Sequence, residues 1–186
     1  KEITAYHEAG HALVASSLTN IDPVNKVSIV SRGRAGGYTL KLPSEDKHLR
    51  SKMEYESELA VLLGGYMSEK IIFKDTTTGA SNDLKVASEL ARRMVTEFGM
   101  SEKVGPITYG DRDELVFLGK ELTAEKNYSE RIASQIDQEV KNFIANAVKT
   151  AKTILSRKLQ TLHKIAKKLI EKETLEQDEF YALIGA

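Results

Sequence analysis

The sequence predicts an α+β fold that is predominantly α-helical, with an HExxH helix, a small β-sheet and a long C-terminal helical region. The helices are indicated by apolar residues that recur every three or four positions at the start of the chain and again from about residue 124 to its end. The sheet is indicated by two short strand-like segments between residues 24 and 43. We expect a single domain over residues 1–186.

The elements of the first half follow from this pattern. Residues 1–19 are predicted to form the motif helix, and the segments KVSIV and GYTLKL are predicted to pair as a hairpin across a glycine loop. Helices are expected over residues 49–73 and 82–98. The pair Gly64-Gly65 interrupts the first of these two helices, which indicates that another element packs closely there.

The second half is predicted to be mostly helical. Residues 100–119 are rich in glycine and irregular, with a short strand expected at residues 115–118. From about residue 124 a long helix is expected, followed by a second helix that contains Leu159 to Leu169 and by a short last helix over residues 175–184.

Composition excludes several classes of protein. Lys+Arg and Asp+Glu both number 27, so the net charge gives no reason to expect a nucleic acid partner, and the basic residues of the C-terminal helices are interpreted as a solvated face. The absence of cysteine excludes disulfides and thiolate metal sites. No apolar run approaches the roughly 20 residues of a membrane span, and no signal peptide is visible. Because Lys1 lies directly before the motif helix, we expect a soluble fragment of a longer protein.

The motif itself predicts a metal site. His7 and His11 lie four residues apart, so both imidazoles project from one face of the helix, roughly 6 Å apart at their Cβ atoms. Glu8 lies beside the first histidine, where its carboxylate can reach a water on the metal without being a ligand. This pattern is typical of zinc metalloproteases, and Zn²⁺ is the cofactor that we expect.

A catalytic zinc site requires a third protein ligand, for which the residues alone leave alternatives. Asp83 follows a loop of small residues and opens a helix, but an acidic residue there is equally explained by the helix dipole. Glu69 is the best glutamate candidate after the glycine pair. His48 and His163 lie in polar or basic surroundings that are more typical of solvated histidines.

Several segments together resemble the peptidase domain of the FtsH family of ATP-dependent, membrane-anchored AAA metalloproteases. They are HEAGHALV, the glycine pair, TTTGASNDL and VTEFGMSEKVGP, and the similarity covers most of the chain. The resemblance implies that His7, His11 and Asp83 bind zinc and that Glu8 is the catalytic base of a zinc metalloendopeptidase. One departure is Tyr66, at a position where the family often carries a basic residue.

The resemblance also implies partners. It predicts a homo-hexameric ring, an ATPase domain upstream in the same chain, and unfolded or membrane protein substrates. It places the full-length protein on the cytoplasmic side of the inner membrane. The 186 residues contain no GxxxxGKS or GxxxxGKT motif, so we expect that this chain alone does not use ATP.

The second strand of the predicted hairpin is also the predicted substrate-binding site. Gly37, Tyr38 and Thr39 are expected to belong to an edge strand that pairs with an extended peptide, although an ordinary hairpin explains the pattern equally well. Three other functions remain open at this point: a structural zinc site in a helical assembly module, a metal-free helical interaction domain, and a metal hydrolase with a non-peptide substrate.

Overall fold

The computed structural model describes residues 1–30, 37–41, 49–110 and 127–185. Within these ranges the chain is predominantly helical with one small sheet, which confirms the predicted fold class. Across the same ranges, none of the helices combines the length and the apolar character that crossing a bilayer requires. The helices are α1 (Glu2–Ala15), α2 (Lys52–Leu62), α3 (Gly64–Ile72), α4 (Ser81–Thr96), α5 (Glu130–Arg157), α6 (Leu159–Lys172) and α7 (Gln177–Ile184).

In the described part of the chain, the sheet has three antiparallel strands in the order β2-β1-β3: β1 (Val24–Ser28), β2 (Tyr38–Lys41) and β3 (Thr174–Glu176). Val27 is the centre of the sheet, opposite Thr39 on β2 and Leu175 on β3. The predicted hairpin of β1 and β2 is therefore present, and β2 lies at an edge of the sheet.

The predicted start of the last helix is wrong, because a strand, β3, lies there. Leu175 was expected to begin the last helix, but it lies in β3, and α7 begins two residues later. Glu173 adopts a left-handed conformation that ends α6 and turns the chain toward the sheet, where Leu175 is fully buried against β1. A strand of three residues is too short to show an alternating pattern in the sequence.

The motif helix α1 lies in the interior and packs against α3, α6 and the sheet. Its closest contact is with α3, at two glycines. A Cβ atom on Gly10 would lie 2.5 Å from the carbonyl oxygen of Gly64, and one on Gly64 would lie 2.8 Å from the carbonyl oxygen of Gly10. The two backbones are thus in direct contact, which confirms the close packing predicted for the glycine pair. The predicted helix over 49–73 is divided at Leu63 into α2 and α3.

The long helix α5 supports α2, α3 and α4 from one side. Ser129 caps its N-terminus by accepting a hydrogen bond from the backbone N–H of Ile132. Near its middle, Glu139 accepts a hydrogen bond of 2.6 Å from the Ser101 hydroxyl and so holds the segment that follows α4. The strand predicted at 115–118 and the first residues of the helix predicted from about 124 lie outside the described residues.

Candidate metal centre

Three side chains from two helices place their donor atoms together. His7 and His11 lie one turn apart on α1, and their Nε2 atoms are 3.0 Å from each other. Asp83, in the first turn of α4, places Oδ2 3.0 Å from the Nε2 of His7 and 3.2 Å from the Nε2 of His11. Among the described residues these three form the group whose donor atoms could hold one metal ion.

The other nitrogen of each ring fixes which tautomer is present. His11 donates from Nδ1 to the backbone carbonyl oxygen of Val61 at 2.7 Å, and His7 donates from Nδ1 to Glu69 Oε1 at 2.7 Å. In the neutral rings both Nε2 atoms therefore carry lone pairs. Two lone pairs and a carboxylate oxygen facing each other at about 3 Å repel unless a cation lies among them, so this donor set fits a zinc ion.

Glu69 orients the ring of His7 and does not join the three donor atoms. Its carboxylate is almost fully buried, with Oε1 on His7 and Oε2 accepting the backbone N–H of Thr77 at 2.8 Å. The alternative that made Glu69 the third ligand therefore has no support from its position. Of the remaining histidines, His163 shares a hydrogen bond with the Tyr6 hydroxyl, away from the donors, and His48 lies outside the described residues.

The glycine pair makes room for the two imidazoles. A Cβ atom on Gly65 would lie 2.5 Å from Nε2 of His7 and 2.6 Å from Nε2 of His11. Any side chain at this position would therefore occupy the space that the ligand atoms need. Glycine is therefore needed at position 65 to leave room for the two imidazoles, and not only to let the helices pack.

The charges of the site follow from its burial. Burial raises the pKa of the Asp83 carboxyl, but without a metal, hydrogen bonds and positive charge from His11 and His7, when their rings carry a proton on Nε2, outweigh this and hold the pKa well below its usual range. Burial lowers the pKa of His7, yet its hydrogen bonds to Asp83 and Glu69 raise that pKa above the ordinary value when no metal is bound. The lowered pKa favours an ionised Asp83, the form in which a carboxylate can bind a metal.

Glu8 lies next to the three donor side chains, but its surroundings differ from those of Asp83. Its side chain is buried, and burial raises its pKa above the ordinary value although His11, His7 and a hydrogen bond from Thr39 act in the opposite direction. The Thr39 hydroxyl donates to Glu8 Oε2 at 3.0 Å. A buried carboxylate beside these donor atoms is well placed to exchange protons with a water between them.

All of these groups face one cleft of about 800 Å³. Among the described residues, its lining includes α2 on one side and β2 on the other, and it contains no lysine or arginine. Every residue predicted for the site from the sequence lines this cleft: His7, Glu8, His11, Asp83, Gly37, Tyr38 and Thr39.

A comparison with protein families now identifies the chain. The sequence model of peptidase family M41 matches residues 1–183. The chain belongs to peptidase family M41. The M41 chain is also similar to proteins named ATP-dependent zinc metalloprotease FtsH, which confirms the resemblance seen in its sequence.

Three of these relatives are bacterial. The M41 chain is 54% identical to FtsH 1 of Thermomicrobium roseum over 98% of its length, 49% identical to FtsH of Caldicellulosiruptor bescii over 99%, and 48% identical to FtsH of Thermotoga maritima over 100%. It spans 28% to 30% of the length of these relatives. The comparison therefore concerns one part of longer proteins.

Sequence reasoning about this M41 chain missed three contributions to the site. Glu69 orients His7, the carbonyl of Val61 orients His11, and the Thr39 hydroxyl contacts Glu8. The sequence marked Glu69, after the glycine pair, as an alternative third ligand, whereas the structure places it at Nδ1 of His7. No sequence signal could have found the Val61 carbonyl, since every residue carries one.

Proposed function

We propose that this chain is a zinc-dependent endopeptidase that cleaves unfolded protein chains. The observation that carries the proposal is that three metal donors converge beside a buried carboxylate, in a cleft bordered by an edge strand. Family membership and the names of the relatives support the same reaction.

In this proposal each residue of the motif has one task. The Nε2 atoms of His7 and His11 and Oδ2 of Asp83 hold the metal. The chemistry that zinc supplies when bound is Lewis acidity, which polarises a peptide carbonyl and makes water a stronger acid. Glu8 takes a proton from the attacking water as its oxygen bonds to the carbonyl carbon, and delivers that proton to the nitrogen as the C–N bond breaks.

The edge strand gives the proposal its substrate class. Among the described residues β2 pairs with β1 along one edge, so the segment from Gly37 to Thr39 can offer the backbone groups of its other edge to a peptide in extended form. A peptide that adds a strand there runs along the cleft beside Glu8. Such binding needs an extended segment whose backbone N–H and C=O groups are unpaired, which unfolded chains present more readily than folded domains.

The wider assembly is also part of the proposal. Since the relatives are named ATP-dependent and are about three times longer than this chain, we propose that an ATPase domain of the same protein delivers substrates to it. The resemblance further supports a homo-hexamer that acts on unfolded or membrane proteins from the cytoplasmic side of the inner membrane. The cleft described above is where those substrates would be cut.

The reaction is tested by metal removal and by Glu8→Gln. Hydrolysis of a quenched-fluorescent, unstructured peptide should stop when zinc is chelated and return when zinc is restored. Glu8→Gln keeps the size of the side chain but cannot accept the water proton, so its kcat should fall at least about 10²–10⁴-fold while bound zinc is unchanged.

Glu89→Gln is the matched control, because Glu89 is an exposed glutamate on α4 outside the cleft. It should cleave the peptide at the normal rate. Near-normal turnover by Glu8→Gln would remove Glu8 from the mechanism. Full zinc content with no hydrolysis of any unfolded peptide by the unaltered protein would favour a structural zinc site instead.

A further inference from the structure

The strand β2 and the residue before it, Gly37, both lie against the carboxylate of Glu8. The Thr39 hydroxyl donates to Oε2 at 3.0 Å and lies 3.4 Å from the backbone carbonyl oxygen of Glu8. On the other side, a Cβ atom on Gly37 would lie 2.8 Å from Oε1 of Glu8. One oxygen is thus held by a hydroxyl, and the other lies against a glycine backbone where no side chain intervenes.

We propose that Thr39 is a positioning residue for peptide hydrolysis, whose hydroxyl holds Glu8 in the orientation required for proton transfer. The inference rests on the proposed function. By occupying Oε2, the hydroxyl leaves Oε1 as the oxygen that accepts the proton of the attacking water. A glutamate side chain has three rotatable bonds, so without such a contact the carboxylate samples other directions inside the cleft.

The position of Thr39 in the strand separates this role from substrate binding. Successive side chains of a strand point to opposite faces, so the side chain of Thr39, which reaches Glu8, lies on the opposite face of β2 from those of Tyr38 and Leu40. The peptide is held by the backbone of β2, whereas the Thr39 hydroxyl is already engaged with Glu8. The same strand therefore carries both the substrate contact and the contact that orients the base.

This arrangement gives Thr39 a kinetic signature. Loss of the hydroxyl should misplace the base without removing backbone contacts to the peptide, so it should lower kcat and leave KM nearly unchanged. A side chain that binds the peptide would raise KM instead. Displacement of a reacting group by about 1 Å can cost about 100-fold in rate, so a loss of roughly 10- to 100-fold in kcat is expected.

The test compares two substitutions in the zinc-loaded protein. Thr39→Val keeps the branched shape that suits a strand but removes the donor, and Thr39→Ser keeps the donor but removes the methyl group. Steady-state hydrolysis of a quenched-fluorescent unstructured peptide should show the loss in kcat for Thr39→Val, with KM within about twofold. Thr39→Ser should retain kcat within about threefold, because its hydroxyl can still reach Oε2.

Thr174→Val is the matched control. Thr174 lies in β3, the other edge strand of the sheet, and its hydroxyl shares a hydrogen bond of 2.9 Å with Ser28 outside the cleft. This variant should keep kcat and KM. Zinc content and Tm are measured for all variants, and Thr39→Ala replaces Thr39→Val if the valine variant loses zinc or unfolds.

Three results would overturn the inference: an unchanged kcat in Thr39→Val, equal losses in Thr39→Val and Thr39→Ser, or a rise in KM with normal kcat. In each case zinc-dependent hydrolysis by the unaltered protein leaves the proposed function standing. If the unaltered, zinc-loaded protein does not hydrolyse the peptide, the proposed function and the role of Thr39 fail together.

Discussion

The two carboxylates that touch His7 meet different nitrogens of its ring. Asp83 lies at Nε2, which also faces His11, whereas Glu69 lies at Nδ1 and continues to the backbone of Thr77. A group at Nε2 shares the space in which a metal binds, and a group at Nδ1 sets the tautomer and angle of the ring. The two carboxylates should therefore differ in how strongly they affect zinc binding.

Asp83→Ala should weaken zinc binding more than Glu69→Gln. The first variant removes a ligand, while the second keeps the size of the side chain and should cost roughly 10- to 100-fold in metal affinity. Zinc affinity is measured by competition with a coloured chelator. Full zinc binding by Asp83→Ala, combined with loss in Glu69→Gln, would show that Asp83 is not a ligand.

The residues of the site differ in how far the sequence could predict them. His7, Glu8 and His11 follow from their spacing on one helix. Asp83 did not follow from its position alone, because the dipole of α4 explains an acidic residue in the first turn equally well. The roles of Glu69 and Thr39 depend on how α3 and β2 pack against α1, which no local pattern encodes.

At the scale of elements, the site depends on the close contact between α1 and α3. The backbones touch at Gly10 and Gly64, and the next residue, Gly65, lies against the imidazoles of both histidines. The two glycines of the pair therefore have separate tasks. Gly64 lets the helices approach, and Gly65 leaves space for the ligand atoms.

Gly65→Ala should reduce zinc affinity strongly while the helix content remains near normal. Alanine favours a helix over glycine by about 1 kcal/mol, but its methyl group would lie within about 2.6 Å of both Nε2 atoms and must displace them. Chelator competition and far-UV circular dichroism measure the two effects. Normal zinc affinity in this variant would show that the imidazoles of His7 and His11 can move aside without weakening zinc binding.

Gly64→Ala is the matched control for that experiment. Its added methyl group would meet the backbone of Gly10 and His11 and not the imidazole nitrogens. We expect it to lower Tm by separating the helices, with a smaller direct effect on zinc affinity than Gly65→Ala.

The elements themselves were predictable to different degrees. The helical periodicity of α1, α4 and α5 is long enough to be read from the sequence, and the hairpin of β1 and β2 is marked by glycines. The third strand was missed because its three residues are specified by pairing with β1 and not by their own pattern. The break between α2 and α3 was indicated by the glycine pair, although its position at Leu63 was not.

At the scale of the whole molecule, the site joins distant parts of the chain. Its donors come from α1 and α4, its orienting groups from α2 and α3, and its edge strand from the sheet. Because one metal ion would connect α1 directly to α4, we expect zinc binding to stabilise the folded chain. The site exists only when these elements are packed together. The spacing of the motif therefore predicts His7, Glu8 and His11, but not the groups that the other elements contribute.

The proposed hexamer is a prediction about the chain as a unit. A single chain leaves several large apolar side chains in solvent, among them Leu49, Met53 and Ile107, which are 90%, 62% and 54% exposed. Association would cover such surface, and the resemblance to the FtsH family implies a ring. Sedimentation velocity over a wide range of concentrations should therefore show a species with six times the 20.7 kDa mass of one chain. A strictly single-chain species at the highest concentration, with zinc bound, would contradict the hexamer for this part of the protein and leave the zinc site and its chemistry unaffected.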